Sequence, residues 1–543
     1  MDFLDELTRE SIDFDYVLSK IRTRTPYGKG YKEEMRPFLP GEESELKEEL
    51  KRIECIIKYV EDNHFRREIE DIFAHVKDLR TSVKRTMEGC VLTEVELFEI
   101  KSFLFLIREL ESLLKKYEID TWKDIDIKSI PKLEKLLDPE DTGIATFYIY
   151  DSYSENLKSI REKKKKIEKK IKSEKKELKG KIKKDLKLDI RPDGTLVVSK
   201  EDIETIKSIE NYPHLTYVSE SYMNVKFALK PTEEINELER KGFILKEREE
   251  KEEYSIREKI SGEIASHRKK LFRNMASIGK LDLILGKAQF ATEIHGTKPK
   301  ISEDHYLYIE EGRHPKVEEF LSKKNLKFTP ISIELKEGVT CITGANMGGK
   351  TVSLRLSGLL CAMAQYGLFV PAKKMKLGLN FFIRASIGDM QSTDSGLSTF
   401  GGEIKLVQDA VEKSHKRGLI LIDELARGTN PEEGYAISKA VVKFLKDKTS
   451  ITLITTHYDN IADIDGVEHL QVVGLSKIDF DKLNNELTDK NEDKMDIINK
   501  YMDYRLKKVK HKNEVPRDAL NIARLMGLDK CIIKDAEKIL EEK

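Results

Sequence analysis

No stretch of this 543-residue sequence approaches eighteen consecutive apolar residues, so nothing in it reads as a membrane-spanning helix. The start, Met1-Asp-Phe-Leu-Asp-Glu-Leu, has neither a basic opening nor an apolar core of signal length, and the expected location is cytoplasmic. Cysteine is sparse. Cys55, Cys90, Cys341, Cys361 and Cys531 are scattered without metal-ligand spacing, which argues against a disulfide scaffold or a zinc site and for reduced core thiols. A surplus of charge is also missing: 98 basic residues face 98 acidic ones, so global charge does not advertise nucleic acid and local charge must decide. What is present is 39% apolar residues, enough for ordinary cores in a chain long enough for more than one domain.

Gly344-Ala-Asn-Met-Gly-Gly-Lys-Thr351 is a complete phosphate-binding loop, and Gly338-Val-Thr-Cys-Ile-Thr343 before it is the apolar strand such a loop follows. Its backbone N–H groups (Gly344, Ala345, Asn346, Met347, Gly348, Gly349) and the dipole of the following helix are suited to phosphates. Lys350 is expected at the β- and γ-phosphates of ATP, and Thr351 on Mg2+. Four apolar residues, Leu419 to Ile422, then deliver Asp423 and Glu424 to a strand end, where open α/β sheets place their ligands. Asp423 suits the magnesium shell, and Glu424 the attacking water. A third strand, Ser450–Thr456, ends at His457, placed to sense the γ-phosphate. Between these strands, Ser395 to Ile404 is a serine-rich turn opening into a helix. Alone it reads equally well as an N-cap, with Ser398 capping and Glu403 early in the helix.

Upstream the chain is mostly helical. Leu97, Ile100, Phe103, Leu104, Ile107, Leu110 and Leu114 mark a core stripe over 93–116. Residues 158–187 hold sixteen Lys or Arg against five Asp or Glu, with one glycine and no proline, and predict a long positive helix. Such a run is either a solvated helix face or a phosphate-binding arm, about 45 Å long at 1.5 Å per residue and carrying about +11. A turn at Arg191-Pro-Asp-Gly194 and three short strand candidates at 195–198, 215–218 and 225–229 follow. A second polar helix is expected from about Thr232 to Arg273, then the apolar run Leu281 to Leu285.

These blocks resemble one family. Thr343 to Thr351, Ala364 to Ala372, Ser398-Thr-Phe400 with Glu403, Asp423-Glu-Leu-Ala-Arg-Gly-Thr429 and Thr455-Thr-His-Tyr458 occur in the order of the MutS ATPases. The resemblance covers about 305 to 543. It implies that Ser398 completes the ATP site of a facing subunit, that Glu311-Gly-Arg-His314-Pro315 lies near the adenine, and that helices around Ala519–Ala523 and Ala536–Leu540 hold two ATPase domains together. Ala426 stands where the family commonly has glycine, and Gly401-Gly402 replaces bulkier residues. The helix, small strand tip and returning helix resemble, more loosely, the lever and a reduced clamp of the same family. Mismatch reading is not expected, because the family's Phe-x-Glu wedge has no counterpart: Phe147-Tyr148 lies mid-chain without the glutamate. Nor is the nuclease-like domain of the second bacterial MutS subfamily expected after the terminal helices.

The expected fold is therefore multidomain, α plus α/β: a helical core (lever) at 1–150, a long-helix arm with a strand tip (clamp-like) at 151–275, a return helix and connector at 276–304, an ABC-type P-loop ATPase domain at 305–500 and a helical dimerisation segment at 501–543. The expected activity is ATP hydrolysis in a homodimer that moves a DNA-binding clamp, with Glu424, His457 and Ser398 catalytic. An alternative partner is an adenosylcobalamin-dependent aminomutase, such as lysine 5,6-aminomutase, for which the chain would be a reactivating factor. The resemblance behind it is carried by Ser386–Ser392 and Glu514–Asp518.

Overall fold

A computed structural model describes residues 2–119, 122, 125–344, 349–388, 399–426, 429–458, 460–474, 502–509, 520, 523–524 and 527–541. The architecture is mixed helical and α/β with several sheets, divided into two compact units, His75–Ser277 and Met1–Ala74 with Ile278–Lys543.

In the unit His75–Ser277, the stripe read from the sequence forms the helix Glu94–Lys116, started by a reciprocal capping box between Thr93 and Glu96. All seven stripe residues are buried. The same helix buries Lys101, which the pattern did not flag. Its ammonium donates to Asp138 Oδ1 at 3.0 Å, Thr146 O at 2.9 Å and Tyr150 Oη at 3.2 Å, partners that offset its desolvation. The lysine-rich run is one helix, Glu155–Leu186, capped by the Ser154 hydroxyl. Beyond it, β1 (Thr195–Ser199), β2 (Leu215–Glu220) and β3 (Asn224–Leu229) form an antiparallel sheet in the order β1-β3-β2. Leu178 and Ile182 of the helix share a core with Leu196, Val198, Val225 and Phe227 of the sheet.

The returning helix, Glu233–Ser266, ends about two turns earlier than the sequence pattern predicts. Its C-cap is His267, and a new helix, Arg268–Glu293, absorbs the apolar run Leu281–Leu285. Glu249 accepts from Arg161 and Lys164, Glu253 from Arg161, and Glu239 from Lys175, so the inner edge of the lysine helix is neutralised. Lys163, Lys165, Lys166, Lys169, Lys170, Lys172, Lys176, Lys181 and Lys184 are exposed and have no acidic partner among the described residues. At 3.6 residues per turn these nine fall on one half of the circumference, opposite Ile160, Ile167, Ile171, Leu178 and Ile182.

The other unit carries two sheets. β4 (Lys300–Ser302), β5 (Tyr306–Gly312), β6 (Ile331–Lys336) and β8 (Lys374–Gly378) make a four-stranded sheet in the order β4-β8-β5-β6. β7 (Gly338–Thr343), β9 (Ile383–Ser386), β10 (Leu419–Asp423), β11 (Ile451–Thr455), β12 (Glu468–Gly474) and β13 (Asp503–Lys508) make a six-stranded one in the order β13-β12-β7-β11-β10-β9. Every pair in it is parallel except β12 with β13. The helix Lys350–Gln365 is buried on nearly all sides, as its run of small and apolar residues requires.

Residues 1–74, grouped by sequence with the helical segment 1–150, share the core of this unit. Phe3, Ile12, Phe14, Val17 and Ile21 pack with Leu354, Leu359 and Ile383. Arg384 accounts for part of this: its guanidinium donates to the carbonyls of Asp2 and Phe3 and pairs with Asp5 and Asp409. Asp282 pins the next segment. Buried in the helix Arg268–Glu293, it accepts from Arg24 N at 3.0 Å, Thr25 N at 2.7 Å and Thr25 Oγ1 at 2.7 Å. Burial raises its pKa while these donors oppose the rise. Asp282→Ala leaves the two N–H groups without their acceptor and is expected to cost about 3 kcal/mol, read as a lower denaturation midpoint. An unchanged midpoint would show that water replaces the carboxylate freely.

Candidate nucleotide site

Three parallel strand ends build the site. Register sets Asp423 beside Thr455, and Thr455 beside Ile342, so the ends of β10, β11 and β7 lie abreast. The helix after the phosphate loop begins at Lys350. Its N-cap, Gly349, has φ 81°, a left-handed conformation that suits glycine, and an added Cβ would come within 2.9 Å of the Tyr504 ring. Ala345, Asn346, Met347 and Gly348 lie outside the described residues, as does Ser398.

Asp423 is shared between two hydroxyls: Thr351 Oγ1 donates to Oδ2 at 2.8 Å and Thr455 Oγ1 to Oδ1 at 2.5 Å. The backbone N–H of Glu424 donates to Thr455 Oγ1 at 3.0 Å. The Glu424 carboxylate pairs with His457 Nε2 and lies 3.6 Å from Lys350 Nζ. Lys350 also donates to Gly344 O at 2.7 Å and lies 3.3 Å from His457 Nδ1. Its side chain is 4% exposed and that of Glu424 11%, so these charges interact with little screening. The structure thus gathers Lys350, Thr351, Asp423, Glu424 and His457, five of the expected site residues. Thr351 and Asp423 present adjacent hard oxygens, the donor type that Mg2+ takes alongside phosphate oxygens and water.

His314 belongs to a different cluster. Its ring is fully buried 3.6 Å from Asp13, which also pairs with Lys316 and lies 3.8 Å from Arg355, and neither ring nitrogen has a hydrogen-bond partner among the described residues. None of these contacts is to the five residues above. Burial chiefly, then Arg355 and Lys316, holds its pKa well below the usual imidazole range against the pull of Asp13.

The sequence reading missed three contributors. Thr455 orients both carboxylate-bearing residues. His469 Nε2 lies 2.7 Å from the hydroxyl of Thr343, the last strand residue before the loop. Glu403 Oε1 accepts from Ala426 N at 3.0 Å, joining two segments the sequence shows apart. Thr455, Thr343, Glu403 and Ala426 all stand in family blocks, Ala426 as a departure, whereas His469 carried no such signal.

Parallel strand ends, a buried helix after the glycine-rich segment and paired carboxylates give this unit the α/β arrangement expected of a nucleotide-binding domain. Residues 340–542 match the family described as MutS domain V. It is similar to an endonuclease MutS2 of Halothermothrix orenii, 29% identical over 504 residues, which cover 86% of this chain and 60% of that protein. An endonuclease MutS2 of Caldanaerobacter subterraneus subsp. tengcongensis is 28% identical over 472 residues, covering 85% and 57%. A DNA mismatch repair protein MutS of Aquifex pyrophilus is 27% identical over 554 residues, covering 97% and 60%. The chain therefore spans about 60% of the length of these curated relatives.

Because the folded state holds His314 neutral below its unfolded pKa, the stability this ring contributes is complete above about pH 6.5 and is lost as pH falls below it. His314→Leu removes that titration and should make stability fall less steeply between about pH 6.5 and 4, measured by denaturant unfolding at stepped pH. An identical slope would place the acid-sensitive group elsewhere.

Proposed function

We propose that this chain is a homodimeric, magnesium-dependent ATPase of MutS type whose hydrolysis drives a DNA-binding arm without sequence or mismatch reading. The arrangement of Lys350, Thr351, Asp423, Glu424 and His457 carries the ATPase part. Lys350 neutralises the β- and γ-phosphates. Glu424 orients the attacking water and accepts its proton, and His457, paired with Glu424, holds that carboxylate against the γ-phosphate. Thr351 and Asp423 would hold magnesium, which would supply further neutralisation of the triphosphate. Ser398 acts on the ATP of a facing subunit. Dimerisation through the C-terminal helix agrees with Ile532 and Ile539, which the helix Lys530–Glu541 leaves 53% and 60% exposed.

DNA as the partner is supported by the nine unpartnered lysines on one half of the helix Glu155–Leu186, and by relatives whose names carry DNA repair and endonuclease functions. Such a stripe meets phosphates and reads no bases.

Glu424→Gln should leave ATP affinity within a few-fold and lower turnover by about two orders of magnitude, whereas Lys350→Ala weakens nucleotide binding itself. Comparable turnover in the glutamine variant would remove Glu424 from this role.

Reversing Lys163, Lys166, Lys169 and Lys170 to glutamate should lower affinity for every duplex tested and flatten the salt dependence by about three in log–log slope. These four leave the ion pairs of Arg161, Lys164 and Lys175 intact. If the wild-type protein binds no DNA near about 150 mM salt, yet its ATPase is stimulated by a cobalamin-dependent aminomutase, the arm is a protein-facing lever and the DNA reading falls.

A further inference from the structure

The backbone turn that carries Glu424 is conformationally costly. Glu424 has φ 53° and Ala426 φ 63°, a left-handed region that non-glycine residues rarely occupy, and the Ala426 side chain is fully buried. Among the described residues, hydrogen bonds with three residues of other elements, Thr455 accepting on its carbonyl as well as its hydroxyl, hold the turn. Thr455 of β11 accepts from Glu424 N, Ser438 of the helix Pro431–Leu445 donates to Leu425 O at 3.0 Å, and Glu403 accepts from Ala426 N at 3.0 Å. The first two anchors belong to a central strand and to a helix that follows the turn in sequence. The third belongs to the helix Thr399–Lys413, which begins directly after Ser398.

We propose that Glu403 is a positioning residue that makes the Glu424 turn of one subunit depend on engagement of that subunit's Ser398 helix with the partner's ATP. This deepens the composite-site reading above and rests on it. When the helix seats on the facing nucleotide, Glu403 comes to rest under Ala426 N and fixes the left-handed turn, which places the Glu424 carboxylate. When the helix is displaced, the turn loses its third anchor and the alanine relaxes from φ 63°. Glu403 is suited to this use because its carboxylate is held half-buried at a cost. Burial first, and the nearby Asp423, push its pKa up, while the bond from Ala426 pulls the other way.

Four variants and one mixture test it. Wild-type turnover should rise cooperatively with ATP. Glu403→Ala should lower kcat about ten- to a hundredfold with KM within about twofold, and should remove the cooperativity. Glu403→Gln, whose amide oxygen accepts the same N–H, should restore both. Ala426→Gly in the Glu403→Ala background should recover much of kcat, because glycine occupies this φ without an anchor, but leave turnover non-cooperative. Ala426→Gly alone should keep high turnover with weakened cooperativity. Non-cooperative wild-type turnover, a glutamine variant as impaired as the alanine one, or no rescue by glycine would each overturn the proposal. Mixing Lys350→Ala with Ser398→Arg subunits, both carrying Ala426→Gly so that the turn of the complete site holds without engagement of its own Ser398 helix, separates the two levels. Recovery of about one active site per heterodimer upholds the shared site whatever the Glu403 variants do. No recovery, with dimers shown to form, removes the shared site itself.

Discussion

One carboxylate fixes the chemistry of this protein. Asp423 ties the first turn of the phosphate-loop helix, through Thr351, to the end of β11, through Thr455. Bonds to an ionised acceptor are roughly twice as strong as neutral ones, and here two converge on one residue. They also demand register. A slip of β10 by one residue would move Asp423 by about 3.3 Å along the strand and turn it to the other face of the sheet. The apolar runs of β7, β10 and β11, buried on both faces, supply that register, so packing in the sheet is what allows Thr351, Asp423 and Glu424 to meet.

Charge in the His75–Ser277 unit is arranged by the same kind of division. The helix Glu155–Leu186 brings the cations, and the returning helix Glu233–Ser266 holds eleven acidic residues against seven basic ones. Exposed ion pairs such as Lys175 with Glu239 contribute at most about 1 kcal/mol each, so they do not hold the helices together. Their consequence is spatial. Acids consume the lysines beside the apolar seam and leave the opposite half of the helix predominantly positive, with nine lysines against Glu162 and Glu177. The chain as a whole has no net charge, yet one surface of one helix has a dense cationic stripe.

The parts legible in the sequence were those governed by local pattern. Helical periodicity over 93–116, the three strands of the small sheet, the strand before the phosphate loop and the Leu419–Asp423 strand all depend on neighbours in sequence, and the structure forms each of them. Contacts across long separations were not legible. Nothing local in Phe3, Ile12 or Phe14 says that they pack beside Leu354 and Ile383, and nothing in Asp282 names Thr25 as its partner. Nothing in the helical pattern marks Lys101 as buried, because no such pattern reveals that Asp138 and Tyr150 will arrive to enclose it. His314 was read as a nucleotide neighbour from a resemblance. The contacts around it are electrostatic ones with Asp13, Lys316 and Arg355.

Ala426 shows how a departure from a family pattern changes what the backbone can do. A glycine there would hold φ near 63° at little cost and keep the turn formed on its own. An alanine in that conformation is strained by roughly 1–2 kcal/mol, so the turn persists only while its hydrogen bonds over-determine it. A net hydrogen bond contributes on the order of 1 kcal/mol, comparable to the strain it opposes. Removing one of the three anchors is therefore enough to shift the balance, while keeping all three makes the turn rigid. The geometry of Glu424 is thus conditional on Thr455, Ser438 and Glu403, and of these only Glu403 sits on the helix that opens after Ser398.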